Sequence, residues 1–328
     1  MESPNWTAYN AAQSEEKHRF VELLADLCNT IGQPEQVMCR PRLPLTDMLF
    51  AAAYKVYVGF SARRFTSDLK DAHAKGLIGN AAHFNRVNRY MANPDLTDAL
   101  KSLVTMSSLP LKAAESDFAV DSSGFSTSRF VRWYNKKYGR EVDNRMWVKV
   151  HLMLGVHTKI VSSVEVSGWT VHDTNYFVPL LEATAEYFQL RDVSADKAYL
   201  SRKNLKAVEE LGGTPFVPLK KNTVEPTVEE DSTWAKMYYY FMYNRLNFME
   251  HYHMRSNVES AFSMIKAKFG DALRSKSDTG QINEALCKVL CHNICCLVQA
   301  IHELGIERTF GSGGTFDSET ELEPELFA

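Results

Sequence analysis

The feature that most limits how this chain can fold is a change of hydrophobic period along residues 118–269. Residues 118–124 form an apolar, strand-like run that ends in small polar residues. Residues 147–156 (WVKVHLMLGV) and 160–166 (IVSSVEV) alternate in the same way, and His157, Thr158 and Lys159 suit a hairpin turn between them. Downstream, helical spacing over 174–188 gives way to a short strand at 192–195. A helix at 201–211, closed by Gly212 and Gly213, precedes another strand-like piece at 215–219. The acidic segment 222–231 reads as a loop, and 233–269 as a long helical stretch with room for one break. Three strands followed by alternating helices and strands can bury their apolar faces as a mixed sheet with helices around it.

The segment upstream has a different character. Residues 46–112 read as all-helical, with Thr46 as a cap for a helix ending near Gly59 and Thr66 or Ser67 as a cap for one ending near Gly76. A third helix carries Phe84, Val87 and Tyr90, and a fourth follows Asp95. Residues 1–36 read as a polar arm with one helix at 15–27, where Phe20, Leu23, Leu24 and Leu27 recur at helical spacing. The expected division is therefore an arm (1–36), an all-helical domain (37–113), an α/β domain (114–302) and an acidic tail (303–328) rich in Gly, Ser and Glu, expected to be disordered.

Charge follows this division. The net charge of −3 conceals six acids against two bases in residues 1–36, and seven against one in 303–328, which leaves residues 37–302 near +7. A basic body between acidic ends fits nucleic-acid binding, although solvated charged faces give the same balance. Arg63 and Arg64 share one turn and Arg86 and Arg89 one helix face, so this helical unit is the candidate DNA-contacting module. No apolar run reads as long enough to span a bilayer, and residues 1–10 lack the apolar core of a signal peptide. Six cysteines in 328 residues do not make a disulfide scaffold. Cys287, Cys291 and Cys295 repeat every four residues among Leu and Ile, a pattern that reads as core rather than as a zinc site. Trp133, Trp147, Trp169 and Trp234 likewise read mainly as core.

The chemistry is concentrated in HYHMRSNVESAFSMIKAKFG, residues 251–270. On one continuous helix, Tyr252, Arg255, Glu259 and Lys266 share an arc of about 60°, beside an apolar stripe formed by Met254, Val258, Ala261, Ile265 and Phe269. Taken alone, the spacing favours a surface helix with an Arg255–Glu259 pair worth a few tenths of a kcal/mol. The spacing Tyr-x2-Arg-x3-Glu-x6-Lys, however, resembles the YREK signature of bacterial insertion-sequence transposases with a DDE catalytic domain. FAVDSSGF resembles that family's first-Asp strand, VSADKAYLS its second-Asp strand and turn, and GWTVHDTNYFVPLL a segment between them. The resemblance covers residues 117–304, and the interval from Asp196 to Glu259 leaves no room for the large β-rich insertion that some relatives carry.

The resemblance implies a ribonuclease-H-like mixed sheet flanked by helices, which the order of elements matches, with the N-terminal all-helical domain appended. It implies Asp121, Asp196 and Glu259 as catalytic carboxylates holding Mg²⁺, with Mn²⁺ as a substitute, because hard oxygen donors suit these ions. Two such ions can activate an attacking oxygen and stabilise the leaving one. Arg255 and Lys266 inherit phosphate contacts near the cut end, and Tyr252 helps to place the same strand. Alternatives remain from the residues themselves: Asp192 for Asp196, Asp117 or Asp143 for Asp121, and Glu250 for Glu259, with Asp173 as a helix cap or supporting group. The expected activity is that of a DNA transposase. It binds the terminal inverted repeats of its element, cleaves there and joins the 3′ ends to target DNA, as a homodimer or larger synaptic complex in a prokaryotic cytoplasm. The competing expectations are a transposase-derived DNA-binding protein that does not cut, and a nuclease without strand transfer.

Overall fold

The structure is a computed structural model that describes residues 5–33, 42–127, 147–227, 232–306 and 310. Asp143, Trp133 and the tail beyond Phe310 fall outside the described residues. Five helices come first: α1 (Trp6–Asn29), α2 (Leu45–Val58), α3 (Thr66–Ala74), α4 (Phe84–Met91) and α5 (Asp95–Ser108). Strands β1 (Asp117–Ser126), β2 (Trp147–Gly155) and β3 (Val161–Gly168) follow. Next come α6 (Phe177–Ala185), β4 (Asp192–Ala195), α7 (Arg202–Glu210), β5 (Thr214–Phe216), α8 (Thr233–Tyr243), α9 (Arg245–His253), α10 (Ser256–Phe269) and α11 (Asp278–Leu304).

The five strands form one sheet in the order β3-β2-β1-β4-β5. β1 pairs antiparallel with β2, and β2 with β3, whereas β4 and β5 run parallel to β1. This is the ribonuclease-H-like mixed sheet that the order of elements predicts. Successive strand residues point to opposite faces, and the two faces meet different layers. Ala119, Phe125, Val150, Leu152 and Leu154 pack with α1, α2, α5, α10 and α11. Phe118, Val120, Met153, Val193 and Ala195 pack with α6 to α9 through Phe177, Leu180, Leu205, Val208, Met237 and Phe248. The N-terminal helices thus share a hydrophobic core with one face of the sheet.

Several local expectations change. α1 starts nine residues earlier than its apolar periodicity, because Asn5 caps it by accepting from the Ala8 N–H and its first turns, with Trp6 and Tyr9, are mostly exposed and carry no buried apolar stripe. Far from trailing as an arm, α1 packs on α11 and α2. Thr46 lies inside α2, whose N-cap position is Pro44, while Gly59 ends the helix at φ +70° as expected. The stretch 233–269 breaks twice, at Asn244 and at Met254–Arg255, giving three helices where the periodicity leaves room for one break. α11, at 27 residues, is long and apolar enough to cross a membrane, which corrects the expectation that no such run exists. Most of its apolar window (72%) is buried inside the protein, as befits a core helix. Its Cys287 and Cys291 are buried and Cys295 and Cys296 partly so, and burial pushes the thiols of the latter two up to about 12. Neutral thiols packed among leucines are core residues rather than metal ligands. Trp147 lies against Gly124 and Trp234 beneath the Arg202 guanidinium, but Trp169 is 56% exposed and departs from the core reading.

Candidate active site

Strand register builds the site. Asp117 pairs with Asp192 and Val120 with Ala195 across β1 and β4, so Asp121 and Asp196 follow at the next step on two adjacent parallel strands, spaced about 4.8 Å apart. Asp121 is two residues beyond Ala119 and Asp196 two beyond Ser194, which is itself paired with Ala119. Period-two alternation therefore puts both carboxylates on the α10 face of the sheet. Asp196 begins a tight 3-10 turn and accepts from the Lys197 N–H at 2.7 Å.

α10 lies across that face because Val258, Ala261, Phe262 and Ile265 bury against it. Its polar residues are thereby set over β1. The Arg255 guanidinium donates to Asp121 Oδ2 at 3.0 Å and to Glu259 Oε1 at 2.6 Å, bridging two carboxylates 138 positions apart in sequence. Further along the helix, Lys266 Nζ donates to Ser123 Oγ at 2.7 Å and sits 5.3 Å from the Phe125 ring. Asp121, Ser123 and Phe125 thus line one side of β1, opposite Arg255, Glu259 and Lys266. Tyr252 belongs to α9, across the break at Met254–Arg255, so the single-helix arc of four residues does not hold. The same break lets the Tyr252 ring lie 5.8 Å from the Arg255 guanidinium.

Electrostatics mark the cluster. Burial raises the Asp121 pKa above the ordinary carboxylate value, and Glu259 and Asp196 add to the rise, against the Ser122 N–H and Arg255. Burial works against the Arg255 charge, but Tyr252, Asp121 and Glu259 more than offset it and the guanidinium is held above its ordinary value. Lys266 is lowered by burial, opposed by Asp271. Tyr199, three residues after Asp196, escaped the sequence reading. Its hydroxyl is buried near Ser122, makes no hydrogen bond of ordinary geometry among the described residues, and lies in the field of Asp173, Asp121 and Asp196; burial raises its pKa, and Ser122 opposes the rise. The only signal for it is its place in VSADKAYLS. Beside it Asp173 takes Lys149 at 2.6 Å and lies 3.7 Å from His151 Nδ1, and burial pushes His151 down to about 4 despite that carboxylate. Asp173 stands in the first turn of a 3-10 turn whose N-cap position is His172, so it is not that turn's cap.

Two of the competing carboxylates, Asp117 and Asp192, are paired with other groups, and a third, Glu250, faces solvent. Asp117 is 1% exposed and bound by Arg191 and His157, Asp192 pairs with His251 Nδ1 at 2.6 Å, and Glu250 is exposed on α9. The four N-terminal cations are apart from this cluster: Arg63 and Arg64 lie before α3, with Arg63 5.6 Å from the Phe84 ring, and Arg86 and Arg89 are carried by α4.

Among the described residues no three Asp, Glu, His or Cys side chains converge closely enough to hold a metal ion. The chemistry of the donors still fits a divalent cation. Asp121, Asp196 and Glu259 supply hard oxygen atoms, and a guanidinium already stands as the balancing cation between two of them.

A ribonuclease-H-like sheet with acidic residues side by side on adjacent parallel strands, faced by a helix that bears a third acid and a lysine and is preceded by an arginine, defines a class of nucleic-acid-processing proteins. Residues 112–294, more than half of the chain, match the transposase DDE domain family. The chain belongs to that family and is a transposase.

Proposed function

We propose that this transposase recognises the terminal inverted repeats of its own element, cuts the DNA there and joins the 3′ ends to target DNA. The observation that supports it best is the register that sets Asp121 beside Asp196, under Arg255 at the start of α10 and Glu259 and Lys266 on it. Asp121, Asp196 and Glu259 would hold divalent cations, Mg²⁺ or in its place Mn²⁺, which supply an activated nucleophile and stabilise the leaving oxygen. Displacement at a phosphodiester also needs cations on the non-bridging oxygens. Arg255 and Lys266 provide these from one helix face, reading charge and not base sequence. Arg255 has two roles in this reading. It pairs with Asp121 and Glu259, and its guanidinium would be free to grip phosphate when those carboxylates hold a cation. Tyr252, against the guanidinium, would help to place it. With these residues the YREK pattern is a phosphate-gripping device around one carboxylate.

The basic unit at 37–113, with Arg63, Arg64, Arg86 and Arg89, would contact duplex DNA flanking the cut, and 114–302 would carry the chemistry. The division marks roles, since the two share a core. Two ends must be held together for joining, which calls for a homodimer or larger synaptic complex working on chromosomal DNA in a prokaryotic cytoplasm.

A DNA-binding protein without cutting activity is the second reading, favoured by one observation: the Arg255 guanidinium already satisfies both Asp121 and Glu259. Cleavage of DNA carrying the element's ends, taken from the sequence flanking the gene, separates the two. Cutting supported by Mg²⁺ or Mn²⁺, abolished by Glu259→Ala while binding persists, is the expected result. Binding by the wild type with no cut in either metal would favour the second reading. End cleavage without joined products would indicate a nuclease.

A further inference from the structure

An open cavity of about 460 Å³ lies between the end of α2, the helix α4 and the loop from α10 to α11. Its walls include Lys55, Asn88, Arg274, Ser275, Lys276 and Ser277, and no carboxylate lines it. Among the described residues none of the three cations is in an ion pair with an acid. Arg274 donates to a neutral group, the Gly59 carbonyl, and so keeps its full charge. The cavity wall is built rather than incidental. Glu284, buried beneath the loop, spends its two oxygens on the Arg274 and Ser275 N–H groups at 2.8–3.0 Å, which fixes the backbone that presents Arg274 and Lys276. Gly280 also lines it, and a Cβ there would come within 2.8 Å of Ser277 Oγ, so a side chain at this position would displace the hydroxyl that caps α11.

The position of the loop gives the cavity a role. The Ser126 N–H donates to the Asp271 carbonyl and the Leu273 N–H returns to that of Ser126, which ties the loop to the far end of β1. That is the end toward which Asp121, Ser123 and Phe125 lead in succession. From the carboxylates, Lys266 and then the Arg274–Lys276 loop follow in order along one rim, and Asn88 of the cavity neighbours Arg86 and Arg89 on α4.

We propose that this cavity is a binding site for backbone phosphate of duplex DNA, which it grips a short distance from the scissile bond and independently of sequence. Three cations with hydroxyl and amide donors and no acid on the wall match a phosphodiester rather than an acidic peptide or a free metabolite, since nothing encloses a base or a carbon skeleton. The proposal rests on the transposase reading, which makes DNA the substrate, but not on cutting.

The test is fluorescence anisotropy in EDTA, so that no chemistry occurs, over a range of NaCl concentrations. One duplex carries the element's end and another of equal length has its sequence scrambled. Lys55→Gln/Lys276→Gln is compared with Lys112→Gln/Lys159→Gln, which removes the same charge near the opposite end of β1. The cavity pair should weaken binding to both duplexes by about 10-fold near 0.1 M salt. It should also lower the slope of log Kd against log salt by about 1 to 2, since each phosphate left unneutralised takes away about 0.9. The control pair should change neither by a comparable amount. An unchanged slope in the cavity pair, an equal effect in the control pair, or no binding of either duplex by the wild type would overturn the proposal. If the wild type binds both duplexes equally and the cavity pair still lowers the slope, the site stands and recognition of terminal repeats does not.

Discussion

Asp117 and Asp121 lie four residues apart on β1, and their surroundings push them in opposite directions. At the first, burial is outweighed by Arg191 and His157, and the carboxyl is held below its ordinary value. At the second, burial wins with the help of Glu259 and Asp196, and the carboxyl is held above it. The acids around Asp117 are all satisfied: Glu115 accepts the N–H groups of Asp117, His157 and Thr158, and Asp192 is paired with His251. Around Asp121, three acids face one bridging guanidinium. An acidic cluster with enough partners holds a fold together, whereas one with a surplus of negative charge is prepared for a cation from outside.

The sharpest way to break this comparison is to exchange the roles of its two ends. Asp196→Asn should lower cleavage of end-bearing DNA by about 10³-fold or more, the scale expected when a metal-holding carboxylate is removed. Asp192→Asn, on the same strand but paired with His251, should cut at nearly the wild-type rate under conditions where it is folded. The reverse pattern in a cleavage assay would move the site to the wrong end of the sheet. The next effect is on stability. Asp117→Asn forfeits charged hydrogen bonds from Arg191 and His157 and should cost about 1.5–3 kcal/mol in urea unfolding at pH 7. Its folded pKa is lowered, so the contribution is complete above the unfolded value of about 3.9 and is lost as pH falls through the folded value. The gap between wild type and variant should therefore hold at neutral pH and close under acid. Asp121→Asn, measured in EDTA at neutral pH, should move the other way and raise Tm by about 1–3 °C. A fall in Tm as large as that of Asp117→Asn would mean that Asp121 is a structural residue.

How much of this the chain reveals unfolded depends on how local each cause is. Strand alternation and the hairpin at His157 and Thr158 are local, and all five strands emerge within a few residues of their expected bounds. The start of α1 is hidden, because its exposed first turns carry no apolar period. The break before Arg255 is hidden for another reason. Met254 and Arg255 keep right-handed helical dihedrals, so neither Gly nor Pro is needed to turn the chain. The Arg255–Glu259 pair is visible in an i, i+4 spacing, but the contact from Arg255 to Asp121 spans 134 residues and depends on how α10 crosses β1. Asp121 and Asp196 are recognisable one at a time from their motifs. That they share a face follows only from the pairing of Val120 with Ala195.

The smallest expected effect probes the bridging guanidinium itself. If Arg255 occupies the cation position between Asp121 and Glu259, it competes with metal, and its removal should favour metal in the absence of DNA. Against this, Arg255 also offsets the repulsion that raises the Asp121 pKa, and without it a larger share of that carboxyl binds a proton. Competition should prevail at pH 8, where an isolated surplus of carboxylates is ionised. Arg255→Ala should then bind Mn²⁺ about 3- to 10-fold more tightly than the wild type, read by the loss of free-ion signal in electron paramagnetic resonance. Such a change amounts to about 0.7–1.4 kcal/mol. Arg255→Lys, which keeps the charge but lacks the fork that spans two carboxylates, should fall between them. Duplex DNA should narrow the difference, because phosphate draws the guanidinium away in the wild type. Weaker Mn²⁺ binding by Arg255→Ala would show that Arg255 assembles the carboxylates for metal and does not stand in for it.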